Sequence, residues 1–343
     1  MQLIKSGINI DFIGKRKIGF VLSIALILLS IGSLIVHKGP NYGIDFVGGT
    51  IIQLKFSESV PIGDIRSAIS NIGFKDASVQ NFGQDMDHEY LIRTSNLEMT
   101  SKGLSQSISD AVKAATGIVP EIRRVEMVGP QIGQDLRNKA LLAIFYSLLF
   151  ITIYISGRFE LKWMISGVTA GSLMTAVYFL SIFNVGIGVL IAAALVISLA
   201  LFWVLQFRYA MGAIVALLHD VLITVGVFSI LNLDFSLPII AALLTIIGYS
   251  LNDTIIVFDR IRENLKGIKT TDKLSVLFNK SINETLSRTI LTSTTTLIVL
   301  LALYFLGGEI IHNFAFAMII GVLIGTYSSI FVASPIVLAA TKR

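Results

Sequence analysis

Residues 237 to 264 read LPIIAALLTIIGYSLNDTIIVFDRIREN, and this stretch decides the fold class. The apolar run from Leu237 to Phe258 is long enough, at about 1.5 Å per residue, to cross a hydrocarbon core of about 30 Å. Asn252 and Asp253 lie within it. An acid in a membrane span costs about 2.5–3.5 kcal/mol on insertion scales, so it is expected to face the protein interior and to have a partner. Two interpretations stay open: a neutral Asp253 in a structural helix contact, or a proton or ion relay.

The composition places the whole chain in the same class. Of the 343 residues, 54% are hydrophobic and 14% are charged, whereas a soluble domain carries about 25% charged residues. The sequence therefore predicts a polytopic membrane protein. It contains no Cys, which excludes disulfides, thiolate metal ligands and cysteine nucleophiles, and its four scattered His do not predict a zinc site. No metal and no cofactor are expected.

The apolar runs and the charges together predict about eight spans, with both termini in the cytoplasm. Lys15, Arg16 and Lys17 precede the first run, and the positive-inside rule places them in the cytoplasm. Short loops that fall outside lack Lys and Arg, whereas those inside carry them, so the net charge of +5 fits anionic lipid rather than nucleic acid. The predicted segments are a cytoplasmic N-terminus (1–17), spans at 18–36 and 140–156, an apolar hairpin (163–207), spans at 211–231 and 237–258, a basic cytoplasmic segment (259–288), and spans at 289–306 and 314–340.

Residues 39–138 contain no membrane-length apolar run and are predicted to fold outside the cytoplasm. Strands are expected at 50–56, 77–82, 89–94 and 121–128, with amphipathic helices from Pro61 to Gly73 and from Leu104 to Gly117. The order βαββαβ is that of a ferredoxin-like α+β domain. The polar residues before and at the third strand are expected to form a solvated turn rather than a metal site: Asp85, Asp87, His88 and Glu89.

Four stretches of the chain resemble one known family. They are NYGIDFVGGT (41–50), GAIVALLHD (212–220), IAALLTIIGYSLNDTIIVFDRIREN (240–264) and SINETLSRTILTS (281–293). Together they resemble the SecD/SecF family of protein-export membrane subunits, in the resistance-nodulation-division (RND) superfamily, and the last two favour its SecF branch. The resemblance implies an accessory subunit of the Sec translocon that uses the proton-motive force to assist preprotein export across the bacterial inner membrane.

The same resemblance implies the partners. They are a SecD-like subunit, the SecYEG channel, YajC as a further candidate, the translocating preprotein and membrane lipid, with no nucleic acid. The alternative function is an RND-type exporter half for lipids or small molecules, which would need a second membrane half from a partner chain. An intramembrane enzyme is not expected, because the spans contain no GxGD motif and no plausible Ser–His pair.

The resemblance carries a proton-coupling role to Asp253 and Arg288. A carboxylate held between a dry environment and a guanidinium can change its protonation when its surroundings move, whereas Arg stays charged. We therefore expect these two side chains to approach each other, directly or through water. An interfacial anchor is the alternative role for Arg288. Asn252 is a weaker candidate for the coupling path.

His219 and Asp220 form a second polar pair, in the span at 211–231. Adjacent residues on a helix point about 100° apart, so the two side chains are not expected to face each other. The pattern favours structural hydrogen bonding, and a role in the proton pathway is the weaker interpretation.

The motif GIDFVGGT is interpreted as structural. Gly43, Gly48 and Gly49 are expected to permit a tight backbone before the first strand, and Asp45 belongs to the same motif. A phosphate-binding loop is not predicted, because no Lys-Ser/Thr pair follows and no helix is expected to begin there.

The chain departs from the family in one region. A typical SecF has six spans, and here its basic loop between two spans resembles Gly157–Glu160 followed by Arg208–Gly212, separated by an apolar insertion at about 161–207. The insertion is predicted to form an extra hairpin at the periphery of a six-helix core. Small residues at 166–172 and 192–194 would suit close helix contacts. A hairpin wedged between the spans at 211–231 and 237–258 would weaken the coupling hypothesis.

Overall fold

The computed structural model describes residues 8–74, 77–82, 88–94, 101–182, 185–266 and 273–341. The chain divides into a helical unit (Met1–Asn41, Ala140–Gly307 and Ile311–Arg343) and an α/β unit (Tyr42–Lys139 with Gly308–Ile310). The helices are α1 (Arg16–Val36), α2 (Ile44–Val47), α3 (Ile62–Asn71), α4 (Ser101–Thr116), α5 (Pro130–Glu160), α6 (Trp163–Ser181), α7 (Ile187–Val204), α8 (Arg208–Ile230), α9 (Leu237–Lys266), α10 (Leu274–Leu306), α11 (Glu309–Ser328) and α12 (Ser334–Ala340). The strands are β1 (Gly49–Lys55), β2 (Ser78–Phe82), β3 (Glu89–Thr94) and β4 (Glu121–Val128).

The α/β unit is the predicted ferredoxin-like domain. Its sheet has the order β2-β3-β1-β4, and each neighbouring pair is antiparallel. Ile52 and Leu54 of β1 are fully buried, as the alternation of the strand predicts, and they belong to one core with Ile65 of α3 and Ile108 of α4. The order βαββαβ is confirmed. Of the polar turn before β3, Asp85 and Asp87 lie outside the described residues.

The GIDFVGGT motif contains the one-turn helix α2, so the expectation that no helix begins there is wrong. Asp45 lies in the first turn of α2, where unpaired backbone N–H groups favour an acid. Gly48 and Gly49 follow with φ angles of 84° and 130°, and a Cβ on either would lie 2.7 Å from backbone atoms of Pro130 or Thr94. These two positions therefore require glycine. Gly43 has an ordinary φ of −68°.

Eight helical segments among the described residues are long and apolar enough to cross a membrane. They correspond to the predicted spans, and the two halves of the apolar hairpin are the separate helices α6 and α7. The predicted turn near Asn184 lies outside the described residues. Within the helical unit, α8 packs against α1 and α9, and α9 packs against α10. Helices α8 and α9 are thus the centre of this unit.

The helices extend further than the apolar runs. Helix α5 begins at Pro130, α9 continues to Lys266 and α10 begins at Leu274, so most of the predicted basic segment at 259–288 is helical. Glu, Lys and Arg favour helix, and pairs one turn apart, such as Arg260–Glu263 and Lys280–Glu284, support the two extensions. The hydrophobic pattern marks where a helix can meet lipid, not where it ends.

The last predicted span is interrupted. Between α11 and α12 lies a π-helical turn, Ser329–Ala333, which contacts α8 and α9. Pro335 has no N–H to donate to the preceding turn, and the Ser334 hydroxyl donates to the Ser329 carbonyl at 2.8 Å. Both features favour the wider turn at this point. π-turns within α-helices occur frequently at functional sites.

Most of the α6–α7 hairpin lies at the edge of the helical unit, whereas Phe202 of α7 and Phe207 after it are buried in the core that contains residues of α8 and α9. Ala170 and Leu173 of α6 and Ala194 of α7 pack against Phe145 and Leu149 of α5. The hairpin does not separate α8 from α9, which contact each other directly. At its base, the N–H of Tyr209 donates to Glu160 Oε1 at 2.9 Å, so the two halves of the split loop lie side by side.

The N-terminal segment is bound by two asparagines of α10. Asn279 Oδ1 accepts the N–H groups of Phe12 and Ile13 at 2.8 and 3.1 Å, and Asn283 Oδ1 accepts the N–H of Ile10 at 2.8 Å. Both asparagine amides also donate to the Ile10 carbonyl at 2.9 Å. Backbone groups of the segment are thereby satisfied by side chains rather than by a helix or a sheet.

Candidate functional site

Asp253 lies at the centre of the helical unit and is 1% exposed. Its Oδ2 accepts a long hydrogen bond of 3.5 Å from the hydroxyl of Ser293 on α10. The same hydroxyl lies 2.7 Å from Thr326 Oγ1 on α11. Asp253 Oδ1 is buried and has no hydrogen-bond partner among the described residues. The acid is therefore inside the protein, as predicted, with one oxygen left for a proton or for water.

Two glycines allow α11 to approach α9 beside this acid. A Cβ on Gly321 would lie 2.3 Å from the side chain of Ile246, and a Cβ on Gly325 would lie 2.9 Å from Ser250 Cβ. Neither space can hold a larger residue. Small residues of this spacing let membrane helices pack closely, and here they bring Thr326 within reach of Ser293.

Arg288 does not pair directly with Asp253. The side chain of Arg288 is exposed, and the ion pairs and hydrogen bonds of the described residues include none between the two. Arg288 precedes Ser293 by five residues, so at about 100° per residue the two point to different sides of α10. Ser293 is the side chain that α10 presents to the acid. Approach through water and the role of interfacial anchor both remain predictions. Asn252 is exposed and points away from the centre.

His219 and Asp220 do face each other, so the expectation drawn from their angular separation is wrong. Both are buried, and His219 Nδ1 lies 2.9 Å from Asp220 Oδ1. The separation of 100° applies to the Cβ directions, whereas the imidazole turns about its own bonds toward its neighbour. The two side chains make hydrogen bonds to each other and to neighbouring helices, and the choice between a structural role and a place in the proton pathway stays a prediction.

Asp220 also connects three helices. Its Oδ2 accepts the hydroxyl of Ser250 on α9 at 2.5 Å and that of Ser328 on α11 at 2.8 Å. Because Asp220 belongs to α8, these bonds join α8 to α9 and α11, two of the three helices that form the Asp253 site. Asp220 thus has a hydrogen-bond partner on each oxygen, in contrast to Asp253.

On its other side, His219 reaches α1. Its Nε2 lies 3.1 Å from Ser23 Oγ, and Ser23 Oγ lies 3.1 Å from the hydroxyl of Tyr327 on α11. The Tyr327 hydroxyl donates to the Gly19 carbonyl at 2.6 Å.

Sequence reasoning missed the hydroxyl residues that complete both sites: Ser23, Ser250, Ser293, Thr326, Tyr327 and Ser328. The one signal for them is a hydroxyl within an apolar run, and it is not specific, because Ser and Thr also bond to their own helix. Among the described residues, no group of three or more His, Asp or Glu is placed to hold a metal ion. The chemistry that the sites offer is the binding of protons and the exchange of hydrogen bonds between helices.

Comparisons with known proteins agree on one family. The family described as "Protein export membrane protein SecD/SecF, C-terminal" matches residues 108–195 and 180–343, two stretches that overlap within the α6–α7 hairpin. The SecD/SecF GG motif matches residues 33–60, which include Gly48 and Gly49.

Similar proteins match along nearly the whole chain. Protein translocase subunit SecF of Calditerrivibrio nitroreducens is 41% identical, over 98% of this chain and 96% of its own length. That of Thermodesulfovibrio yellowstonii is also 41% identical, with the same coverage. The crystal structure of SecDF, a translocon-associated membrane protein from Thermus thermophilus, matches with a TM-score of 0.73 and 34% identity. The match covers 99% of this chain and 39% of the SecDF chain.

Proposed function

This chain belongs to the SecD/SecF family of protein-export membrane proteins, and from that premise we propose that it uses the proton-motive force through Asp253. As a SecF-type subunit it has an accessory role in protein export by the Sec translocon. In this proposal the subunit is not an enzyme. The free energy for its action comes from a proton gradient rather than from a reaction that it catalyses.

The proposed partners follow from the family to which the chain belongs and from the share of the SecDF chain that it matches. The chain spans about two fifths of the SecDF chain, so a SecD-like subunit is the expected second half. SecYEG, YajC and the translocating preprotein are proposed as further partners.

In the helical unit, basic side chains gather at one end, where Arg158 bonds Asp259 at 2.7 Å and Arg262 donates to the Arg158 carbonyl at 3.0 Å. We assign this end, with both termini, to the cytoplasmic side of the inner membrane.

The observation that carries the proposal is that Asp253 Oδ1 has no hydrogen-bond partner in the part of the chain that the structure describes. A buried carboxylate normally has its oxygens satisfied, because an unpaired charge away from water is costly. Oδ1 can accept a proton without first breaking a hydrogen bond. A neutral Asp253 no longer needs the Ser293 hydroxyl as a donor, which frees that hydroxyl for Thr326. The protonation state of one acid thereby changes how α9, α10 and α11 are bonded.

The test is preprotein translocation in vesicles that contain the chain with its SecD subunit, with the proton gradient present and collapsed. In Asp253→Asn, which keeps the size of the side chain but cannot release a proton, the stimulation by the gradient should disappear. The matched control is Glu263→Gln, an exposed acid on the same helix that pairs with Arg260, and it should keep the stimulation. Full stimulation in Asp253→Asn, with normal assembly, would show that Asp253 is structural.

A further inference from the structure

We propose that His219 and Asp220 together hold one exchangeable proton, and that this proton completes a chain of hydrogen bonds that ties α1 to α8 and α11. The inference rests on the proposed function, in which protons drive the protein, but it concerns a different acid from Asp253. It follows from the number of hydrogens that the contacts around His219 require.

Four contacts follow one another in this chain of bonds. Asp220 Oδ1 lies 2.9 Å from His219 Nδ1, and His219 Nε2 lies 3.1 Å from Ser23 Oγ. Ser23 Oγ lies 3.1 Å from the Tyr327 hydroxyl, which lies 2.6 Å from the Gly19 carbonyl. Each contact is a hydrogen bond only if one hydrogen lies between its two atoms.

The direction of the bonds is fixed from the Gly19 end. A carbonyl only accepts, so Tyr327 must use its single hydrogen there. Ser23 must then donate its hydrogen to Tyr327, and His219 Nε2 must donate to Ser23. A hydrogen is still needed between His219 Nδ1 and Asp220 Oδ1.

Neutral side chains cannot supply that last hydrogen. A neutral imidazole, a serine and a tyrosine carry one donor hydrogen each, which makes three for four contacts. The fourth is an added proton, on Nδ1 beside an Asp220 anion or on Oδ1 of a neutral Asp220. In either form the pair has no net charge. Burial favours a neutral pair, and His219 and Asp220 are 3% and 0% exposed. Asp220 Oδ2 is not a donor in this chain of bonds, because it accepts the hydroxyls of Ser250 and Ser328. The bond from Ser328 to Oδ2, at 2.8 Å, is shorter than the 3.2 Å from the same hydroxyl to the Gly325 carbonyl.

Loss of the proton must break one contact. A neutral His219 keeps its hydrogen on the bond to the Asp220 anion, because a bond to a charged acceptor is about twice as strong as a bond between neutral groups. Its Nε2 can then only accept, so Ser23 turns its hydrogen toward the imidazole. The bond from Ser23 to Tyr327 is then lost unless Tyr327 leaves Gly19. Either change removes a bond that involves α1 and α11. The proton, from water on one side of the membrane, therefore acts as a removable link between α1 and the centre.

Few other titratable groups face the pair. Among the described residues, Tyr327 is the one on α11. On α9, the titratable residues beside Ser250 in the sequence are Tyr249, which donates to Thr296 on α10 at 3.3 Å, and Asp253. The part of α1 from Gly19 to Ser30 and the π-helical turn contain no charged residue. A change of protonation observed near the pair can thus be assigned to Asp220 or to Asp253 by replacing each of the two in turn.

The test is pH-difference infrared spectroscopy of the full chain with its SecD subunit, in phosphatidylethanolamine–phosphatidylglycerol vesicles. Between about pH 5 and about pH 10, the wild type should lose a protonated-carboxyl or imidazolium signal that is absent from Asp220→Asn and retained in Asp253→Asn. In Tyr327→Phe two contacts remain, and the hydrogens of Ser23 and a neutral His219 satisfy both. This variant should therefore release the added proton at pH values at which the wild type still holds it. In the Asp253→Asn background, a signal that survives the further change Asp220→Asn, or the absence of any such signal, would overturn the proposal.

The link to α1 has its own readout. The chain contains no cysteine, so spin labels can be placed at Ile24→Cys on α1 and Leu323→Cys on α11, both at exposed positions. Electron–electron distance distributions between them should be narrow while the proton is bound and should broaden when it leaves. Tyr327→Phe should give the broad distribution at every pH. Unchanged distances across the infrared transition would show that the proton does not link the helices. Gradient-stimulated translocation in Asp253→Asn is scored separately, so either proposal can fail alone.

Discussion

Two helices of this chain carry the same Gly-x-x-x-Gly spacing, and only one of them uses it. In α11, a Cβ at Gly321 or Gly325 would overlap side chains of α9. In α6, a Cβ at Gly167 or Gly171 would meet nothing within 4 Å. The expected close contacts of the small residues at 166–172 are thus not made at these two glycines. The spacing permits a close approach, but two helices pack closely only where contacts between them also stabilise that arrangement.

The two regions also differ in the hydrogen-bond partners of their hydroxyl groups. In the hairpin, Ser166, Thr169, Thr175 and Ser198 each donate to a carbonyl four residues earlier in their own helix. In the centre, Ser250, Ser293 and Ser328 bond across to other helices. Lipid tails are as apolar as leucine, so apolar contact alone does not favour one arrangement of membrane helices strongly. Cross-helix hydrogen bonds to buried acids do, and they are confined to the centre among the described residues of the two regions.

The largest difference between the two regions is expected when one glycine of each motif is replaced by leucine. Gly325→Leu forces α11 away from Ser250 and should lower the free energy of unfolding by about 3 kcal/mol or more, because the obstacle includes the Cβ and Cα of Ser250. Gly171→Leu, with open space around it, should change it by less than about 0.5 kcal/mol. Unfolding in detergent, followed by circular dichroism, measures both. Equal losses would mean that the hairpin is as tightly specified as the centre.

A second comparison removes one buried hydroxyl from each region. Ser293→Ala deletes the bonds to Asp253 and Thr326 and should cost about 1 kcal/mol, in the range measured for hydrogen bonds between membrane helices. Ser198→Ala is the control, because Ser198 is equally buried but bonds within α7. The same unfolding assay applies. A larger loss in Ser198→Ala would contradict the distinction drawn between the two regions.

The smallest effect is expected from the largest deletion. Removal of Leu161–Phe207 joins Glu160 to Arg208, two positions that are already adjacent through the bond from Tyr209 N–H to Glu160. Co-purification with the SecD subunit and gradient-stimulated translocation should stay at the wild-type level, because α8 and α9 contact each other directly, although the deletion removes Phe202 and Phe207 from the core that they share. Loss of co-purification, with normal expression, would assign the hairpin to the subunit interface.

Much of the fold could be predicted from local patterns. Strands β3 and β4 have the predicted bounds, because alternation and flanking turns determine a short strand in a small sheet. The eight spans follow from hydropathy for a similar reason: lipid requires a continuous apolar surface. The turn α2, the helical extensions around 259–288 and the π-helical turn were missed, because polar helix formers and a single proline carry no hydropathy signal.

The site was predicted less completely. Asp253 could be located because an acid within an apolar run is conspicuous, and its burial agrees with that reasoning. Its partner could not, because the choice between Arg288 and Ser293 depends on the rotation of α10, which the spacing of residues within one helix does not determine. The contact between His219 and Asp220 depends on a side-chain rotation and was missed for the same kind of reason.

The bonds that hold the N-terminal segment also bear on how the protein is made. Ile10 and Asn283 are 273 residues apart, so the segment leaves the ribosome long before its partners exist. At about 5–20 residues per second, roughly 14–55 s pass between the synthesis of the two ends of this contact. During that interval α1 must be inserted in the membrane while the backbone before it stays hydrated. The asparagines of α10 therefore make the closing contact of the helical unit one of the last events of its biogenesis.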